Sequence, residues 1–130
     1  MTQRIIKRIE NLTKRLLEAK QNNNKFEEGR ACCNLGNAYR SLGDFQRAIE
    51  YHEKDLSIAK DVGDRAGEEG GSGNLGNAYL SIGDFQRAIE YHEKHLSIVK
   101  DVGNRASKGR ASDNIGNAFP TSYRVSRETP

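Results

Sequence analysis

Apolar residues recur along this chain at intervals of three and four, which places them on one face of an α-helix. In the first such segment the apolar stripe holds Ile5, Ile9, Leu12 and Leu16. The segments are separated by short turns; at one of them we expect Gly43 to end a helix in the left-handed conformation and Asp44 to cap the next. The pattern predicts helices over residues 3–20, 25–41, 45–62, 65–81, 85–102 and 105–119.

A 33-residue segment that starts at Asn34 occurs twice, and its second copy starts at Asn74. The two copies differ at five positions and match at the other 28. A third, shorter copy starts at Asn114, so the period is 40 residues. Each period holds two predicted helices, and a repeated helix pair indicates a solenoid in which neighbouring pairs bury each other's apolar faces.

The repeat predicts a single array over residues 1–119 followed by a tail. Residues 3–24 overlay the second helix of the clear repeat when shifted by 40 positions, so we interpret them as the second helix of a degenerate repeat. The other units are the full repeats 25–64 and 65–104, the truncated repeat 105–119 and the tail 120–130. A proline cannot continue a helical hydrogen-bond ladder, and because Pro120 stands there we expect the tail to be disordered. The predicted fold is an all-α superhelix of antiparallel helix pairs, with about two and a half repeats.

Four glycines fall in the first half of the predicted helix 65–81, namely Gly67, Gly70, Gly71 and Gly73. Each costs about 1 kcal/mol relative to alanine in a helix interior. We therefore expect this half of the helix to fray, or to form late against its neighbours.

Composition and charge narrow the choice of partner. Charged residues make up 30% of the chain and hydrophobic residues 35%, which is polar for a globular domain and suits a thin array. The net charge is +3, and residues 1–26 alone carry +5. Their basic amphipathic helix could meet an anionic membrane, but its overlay on a repeat helix favours internal use of the apolar face. The basic residues do not alternate with stacking aromatics, so we expect neither a membrane nor a nucleic-acid partner.

The two cysteines, Cys32 and Cys33, are adjacent in a predicted helix. Their side chains diverge by about 100°, so they cannot form an ordinary disulfide with each other. Two cysteines that do not pair with each other are typical of a protein in a reducing compartment. The chain has no signal-peptide pattern and no apolar run of transmembrane length, so we expect a cytoplasmic protein.

Two short motifs resemble chemical sites. Gly71-x-Gly73-x-x-Gly76 matches a dinucleotide fingerprint, but no strand is predicted before it. His92-x-x-His95 could present two imidazoles on one helical face, but without further ligands we expect that face to be solvated. No nucleophile, base or metal constellation is evident. We therefore expect no enzyme activity, no cofactor and no metal site.

The residues Leu35, Gly36, Tyr39, Ala48 and Leu56 form a pattern that resembles the tetratricopeptide repeat. The 40-residue period, with its Asn-Leu-Gly-Asn-Ala-Tyr opening, is similar to the Leu-Gly-Asn type. That type occurs in G-protein signalling modulators of spindle orientation and in long multi-repeat scaffold proteins. The resemblance implies a small-residue contact between Gly36 and Ala48, and a concave wall of first helices that binds extended peptides.

The first helix of each repeat also carries a polar stripe at positions i, i+4, i+7 and i+11, hence on one face. Asparagine can pair with the backbone of an extended peptide whatever its sequence, and arginine can select carboxylates. The candidate peptide-binding residues are Arg30, Asn34, Asn37, Arg40, Ser41, Asn74, Asn77, Ser81, Arg110, Asn114 and Asn117. Alternatively, the asparagines bond between adjacent helices and stabilise the stack. Both interpretations stay open for Asn34 and its copies, whereas peptide contact is favoured for Asn37 and its copies.

These patterns favour a non-enzymatic scaffold that holds an extended, possibly acidic, peptide of a protein partner. The alternative is self-assembly through end helices that lack their next layer and could stack head to tail. The apolar residues at these two ends are Leu12, Leu16 and Leu17, and Ile115 and Phe119.

Overall fold

The computed structural model describes residues 2–102, which form five α-helices joined by short turns. The helices are α1 Thr2–Gln21, α2 Lys25–Leu42, α3 Phe45–Val62, α4 Arg65–Ser81 and α5 Phe85–Val102. Each agrees with a predicted helix to within one residue at either end. The predicted helix 105–119, the tail and the candidates Arg110, Asn114 and Asn117 lie outside the described residues.

The helix ends follow from the local turn chemistry. Gly43 has a φ of 87°, a left-handed conformation that glycine adopts without strain, and it ends α2. The Asp44 carboxylate then accepts a hydrogen bond from the backbone N–H of Arg47 at 3.1 Å and caps α3. Gly63 and Asp64 repeat this arrangement between α3 and α4. The predicted turn at Gly43 and Asp44 is confirmed.

Each helix packs against the next one along the chain, from α1 to α5. Leu35 of α2 and Leu75 of α4 are completely buried, and each stands in its own hydrophobic cluster. The cluster around Leu35 includes Leu12 and Leu16 of α1. The first helix therefore uses its apolar face internally, as the overlay on a repeat helix predicted.

The burial of residues in α1 weakens the alternative of self-assembly by head-to-tail stacking of the end helices. Leu12 and Leu16 are buried, so neither lacks a covering layer. Leu17 is exposed, as is Ile6. Ile115 and Phe119, the apolar residues expected at the other end, lie outside the described residues.

Helix α4 runs without interruption through its glycines. The structure thus contradicts the expected fraying; late formation of this half-helix stays a prediction. The reason is close packing, because a Cβ at Gly71 would lie 3.3 Å from Leu56 and one at Gly73 would lie 3.1 Å from His95. The absent side chains let neighbouring helices approach, and the resulting contacts offset the low helix propensity of glycine.

In both repeats a buried imidazole fills the space beside a mid-helix glycine. A Cβ at Gly36 would lie 2.6 Å from the ring of His52, and one at Gly76 would lie 2.7 Å from the ring of His92. The ring of His52 is thus what a side chain at Gly36 would meet first. The contact between Gly36 and Ala48 that the family resemblance implied stays a prediction.

The prediction of a solvated histidine face on α5 is therefore wrong. His92 is 0% exposed. His95 is mostly covered, and its Nδ1 lies 2.7 Å from the backbone oxygen of Glu69. Both rings reach α4 because its glycines leave room for them.

Candidate functional site

The polar stripe lies on α2 and α4, the first helices of the two repeats. Its members on α2 are Arg30, Asn34, Asn37 and Ser41, and those on α4 are Asn74, Asn77 and Ser81. The candidate Arg40 also lies on α2. The arginines, the serines and Asn37 are exposed, whereas the other asparagines are half-buried. The polar stripe is thus at least partly exposed on both helices. Its use as a peptide-binding wall stays a prediction.

The two serines already use their hydroxyl protons inside the helix. Ser41 Oγ donates to the backbone oxygen of Asn37 at 3.2 Å. Ser81 Oγ donates to the backbone oxygen of Asn77 at 3.0 Å. Each serine therefore offers a ligand its oxygen as an acceptor.

Asn74 forms a link between the two first helices. Its Nδ2 donates to the sulfur of Cys33 at 3.6 Å, from α4 to α2. For this asparagine the geometry supports the alternative interpretation, in which the side chain stabilises the stack. Peptide contact by Asn74 stays a prediction.

Two clefts flank α2. One, of about 400 Å³, separates α1 from α2, and its walls include Arg15, Arg30 and Asn34. The other, of about 210 Å³, lies between α2, α3 and α4, and its walls include Arg30 and Asn74. Three predicted residues are thus brought together around these clefts. The other candidates within residues 2–102 do not line either cleft.

A stack of two tyrosines and two cations occurs in each repeat. The rings of Tyr39 and Tyr51 lie 5.6 Å apart and 6° from parallel. Arg47 lies over the first ring and Lys54 over the second, at 5.6 and 4.9 Å. The second repeat has the same arrangement in Tyr79, Tyr91, Arg87 and Lys94. These residues all lie in the repeated sequence, but their contacts depend on how two helices pack.

The second stack also joins the two repeats. The hydroxyl of Tyr79 in α4 donates to the carboxylate of Glu53 in α3 at 3.1 Å. Burial, followed by the charge of Glu53, raises the pKa of Tyr79. The phenol therefore stays protonated and serves as a donor between repeats.

Beneath the polar stripe, Cys33 of α2 meets His52 and Asp55 of α3, and one potential ligand atom from each lies within 4.8 Å of the others. Burial raises the pKa of the Cys33 thiol and lowers that of His52 to about 4. Burial, together with the carboxylate of Asp64, raises the pKa of Asp55 to about 6. Sequence reasoning missed this cluster. The available signal was that positions 33 and 55 differ from their counterparts 73 and 95 in the second repeat.

The raised pKa makes Asp55 a destabilising group when it is ionised. The carboxyl titrates near pH 6 in the folded state and near the ordinary 3.8 when unfolded, so the folded state holds the proton more tightly. The stability contributed by this group is full below about pH 4 and is lost as pH rises through about 6. We expect Asp55→Asn to raise the free energy of unfolding at about pH 7 by about 1 kcal/mol. This value is well below the free energy equivalent to the whole pKa shift, because the side chain is partly exposed and solvent screens its charge.

Urea unfolding of wild type and Asp55→Asn, with a chelator present, checks this expectation. The advantage of the variant should shrink at about pH 4, where the carboxyl is protonated in the folded wild type. His52 titrates in both proteins, so its effect cancels in the difference. An advantage of equal size at both pH values would show that its source is not the ionised carboxylate.

Among residues 2–102, no helix combines the length and the apolar character needed to cross a membrane. The dinucleotide-like motif lies inside helix α4, and helix α3 precedes it. A Cβ on any of its three glycines would lie within 3.3 Å of a side chain of a neighbouring helix. The motif therefore does not form the strand–turn–helix unit that a dinucleotide requires.

Comparisons with known proteins agree with this architecture. The profile described as tetratricopeptide repeat matches residues 28–101. The chain is similar to the Tonsoku-like protein of Danio rerio, with 38% identity over 61 residues, which are 47% of this chain and 4% of that protein. It is also similar to human G-protein-signaling modulator 1, with 56% identity over 34 residues, which are 26% of this chain and 5% of that protein. The chain thus spans only a small part of these relatives.

The fold resembles the crystal structure of the TPR domain of Arabidopsis FLU, with a TM-score of 0.70 and 23% identity. That match covers 75% of this chain and 82% of the other. The likeness shows a common fold of stacked helix pairs. Because the family profile covers more than half of the sequence as well, the chain belongs to the tetratricopeptide repeat family.

Proposed function

We propose that this chain is a non-enzymatic scaffold that binds an extended peptide segment along the wall formed by α2 and α4. The tetratricopeptide repeat is generally a protein–protein interaction module. One observation carries the finer proposal. Arg30, chosen from the sequence as a peptide contact, lines both clefts beside α2, and Asn34, chosen in the same way, lines the larger one.

The larger cleft offers partners for a carboxylate of a bound peptide. Arg15 and Arg30 line it beside the amides of Asn22 and Asn34, and Glu18 and Glu27 line it as well, so its formal charges balance. Among residues 2–102, the guanidinium of Arg30 forms one ion pair, a long and exposed contact of 3.9 Å with Glu27, and such surface pairs contribute little. Arg30 can therefore turn to a ligand carboxylate, while the amides pair with the peptide backbone.

We expect Asn37→Ala combined with Asn77→Ala to weaken peptide binding about 10- to 100-fold, because two hydrogen bonds of roughly 1 kcal/mol each are lost. Neither side chain is buried in the core, so the helical content should not change. Peptides are first selected on the wild type from a library of random linear sequences. Fluorescence anisotropy then measures binding, and far-ultraviolet circular dichroism measures helicity.

The matched control is Gln46→Ala with Gln86→Ala. These two amides are exposed, lie on α3 and α5, and have the same 40-residue spacing. The control should bind peptide as the wild type does. In addition, Arg30→Ala should weaken acidic peptides more than neutral ones. If the variant with Asn37→Ala and Asn77→Ala retains wild-type affinity, as the control should, the asparagine rows are not the binding surface.

We also propose that the scaffold acts in the cytoplasm. Cys32 is buried and Cys33 half-buried, and both are free thiols, which supports a reducing compartment. The peptide ligand would then come from another cytoplasmic protein.

A further inference from the structure

A sulfur, a nitrogen and an oxygen ligand converge between α2 and α3. Cys33 comes from α2, whereas His52 and Asp55 lie three residues apart on one face of α3. One potential ligand atom from each residue lies within 4.8 Å of the other two. This convergence depends on how the two helices pack. It adjoins the polar stripe, since Asn74 Nδ2 donates to the sulfur of Cys33 at 3.6 Å.

The buried histidine of this cluster lacks a partner for one ring nitrogen. His52 is 1% exposed, and its Nδ1 has no hydrogen-bond partner among the described residues. Buried polar atoms in folded proteins almost always have a partner. His92 at the matching position of the second repeat is also buried, and within residues 2–102 it is unpartnered at both ring nitrogens. The first repeat differs because its imidazole stands beside a thiol and a carboxylate, and the three together point to a group that they would share.

The cluster is also open to solvent on one side. Cys33 and Asp55 both line the cleft of about 210 Å³ between α2, α3 and α4. Gly29 keeps that side clear, since a Cβ there would come within 3.3 Å of the Asp55 carboxylate. An ion from solution therefore has a path to the cluster, and the two cleft-lining side chains have space to rotate.

We propose that Cys33, His52 and Asp55 bind one Zn²⁺ ion, with a fourth coordination position open to the cleft. Thiolate, imidazole and carboxylate are the protein ligands of zinc, and a thiolate disfavours calcium and magnesium. In a tetrahedral zinc site the ligand atoms lie about 3.3–3.6 Å apart. The three ligand atoms, which lie within 4.8 Å of one another, would have to approach to that value through rotation of Cys33 and Asp55. Binding breaks the S–H bond of Cys33, forms an S–Zn bond and releases the proton to solvent.

The second repeat does not hold the same site. Its corresponding residues are Gly73, His92 and His95. Gly73 has no donor side chain, and His95 Nδ1 already lies 2.7 Å from the backbone oxygen of Glu69. Within the described residues, a thiolate-containing site is therefore expected only in the first repeat.

Cobalt(II) is the probe for this site, since it occupies zinc sites and its thiolate complexes absorb in the near ultraviolet. The full-length protein is treated with chelator, dialysed and titrated with Co²⁺, and the bound cobalt is then displaced with Zn²⁺. We expect one equivalent of cobalt with a thiolate-to-metal absorption band. Cys33→Ser should abolish the band, and Asp55→Asn should weaken binding by at least about 10-fold.

The matched control is Cys32→Ser. Cys32 is the neighbouring cysteine, and the second repeat has Ser72 at the same place, so the fold accepts serine there. This variant should keep the band. A wild-type protein without the band overturns the proposal, as does a Cys33→Ser variant that retains it. Loss of the band in a Cys32→Ser protein that remains helical also overturns it. None of these readouts depends on peptide binding.

Discussion

Leu75→Ala is expected to lower the free energy of unfolding by about 2–5 kcal/mol. Leu75 is 0% exposed and belongs to the cluster that joins Ile49 and Leu56 of α3 to Ala88 of α5. Its side chain therefore holds together the interface between the two full repeats. A repeat array is stable only through such neighbour interfaces, so a cavity here weakens both sides of α4 at once.

Urea unfolding followed by circular dichroism measures this effect, with Leu17→Ala as the control. Leu17 is a helical leucine with 57% of its surface exposed, and its loss should change stability by less than about 0.5 kcal/mol. Similar losses in the two variants would mean that Leu75 does not anchor the repeat interface.

The helices and their ends were predictable because their signals are local. The turn at Gly43 and Asp44 shows why, since a glycine in the left-handed region and an aspartate N-cap act on the residues beside them. The 40-residue repeat added the order of the helix pairs. The apolar face of α1 followed from its overlay on a repeat helix.

Burial of the histidines was not predictable from their own positions. His92 is polar and lies three residues from His95, a spacing that puts both imidazoles on one helical face. Without further ligands in the sequence, that face is expected to be solvated. Its burial depends on Gly76 in a different helix, where the missing side chain leaves space for a ring. A pattern read along one helix does not show which residues lie opposite it.

In the candidate site, too, some features were predictable from the spacing within one helix and others were not. The i, i+4, i+7 spacing puts Arg30, Asn34 and Asn37 on one face of α2, because helical geometry alone determines that face. It did not show that Asn74 would reach Cys33, or that Cys33 would stand beside Asp55. Those contacts depend on the packing of neighbouring helices, which the spacing within a single helix does not report.

The glycines of α4 are expected to respond to alanine in opposite directions. Gly76→Ala should lower the free energy of unfolding by about 1–3 kcal/mol, the usual cost of overfilling a packed core. Its Cβ would lie 2.7 Å from His92 Nε2, and the ring is fully buried and enclosed. Gly70→Ala should instead raise stability by about 0.5–1 kcal/mol, because nothing lies within 4 Å of its Cβ position.

Gly70 and Gly76 belong to the same helix, so the gain in helix propensity from alanine is the same at both positions. Only the surroundings of the two positions differ. Adding His92→Ala separates the remaining explanations. If the Gly76→Ala penalty comes from the imidazole, the double variant should lose less stability than the sum of the two single losses. Additive losses would instead assign the penalty to the α4 backbone. Stabilisation by Gly76→Ala as large as that by Gly70→Ala would exclude close packing of His92 against α4.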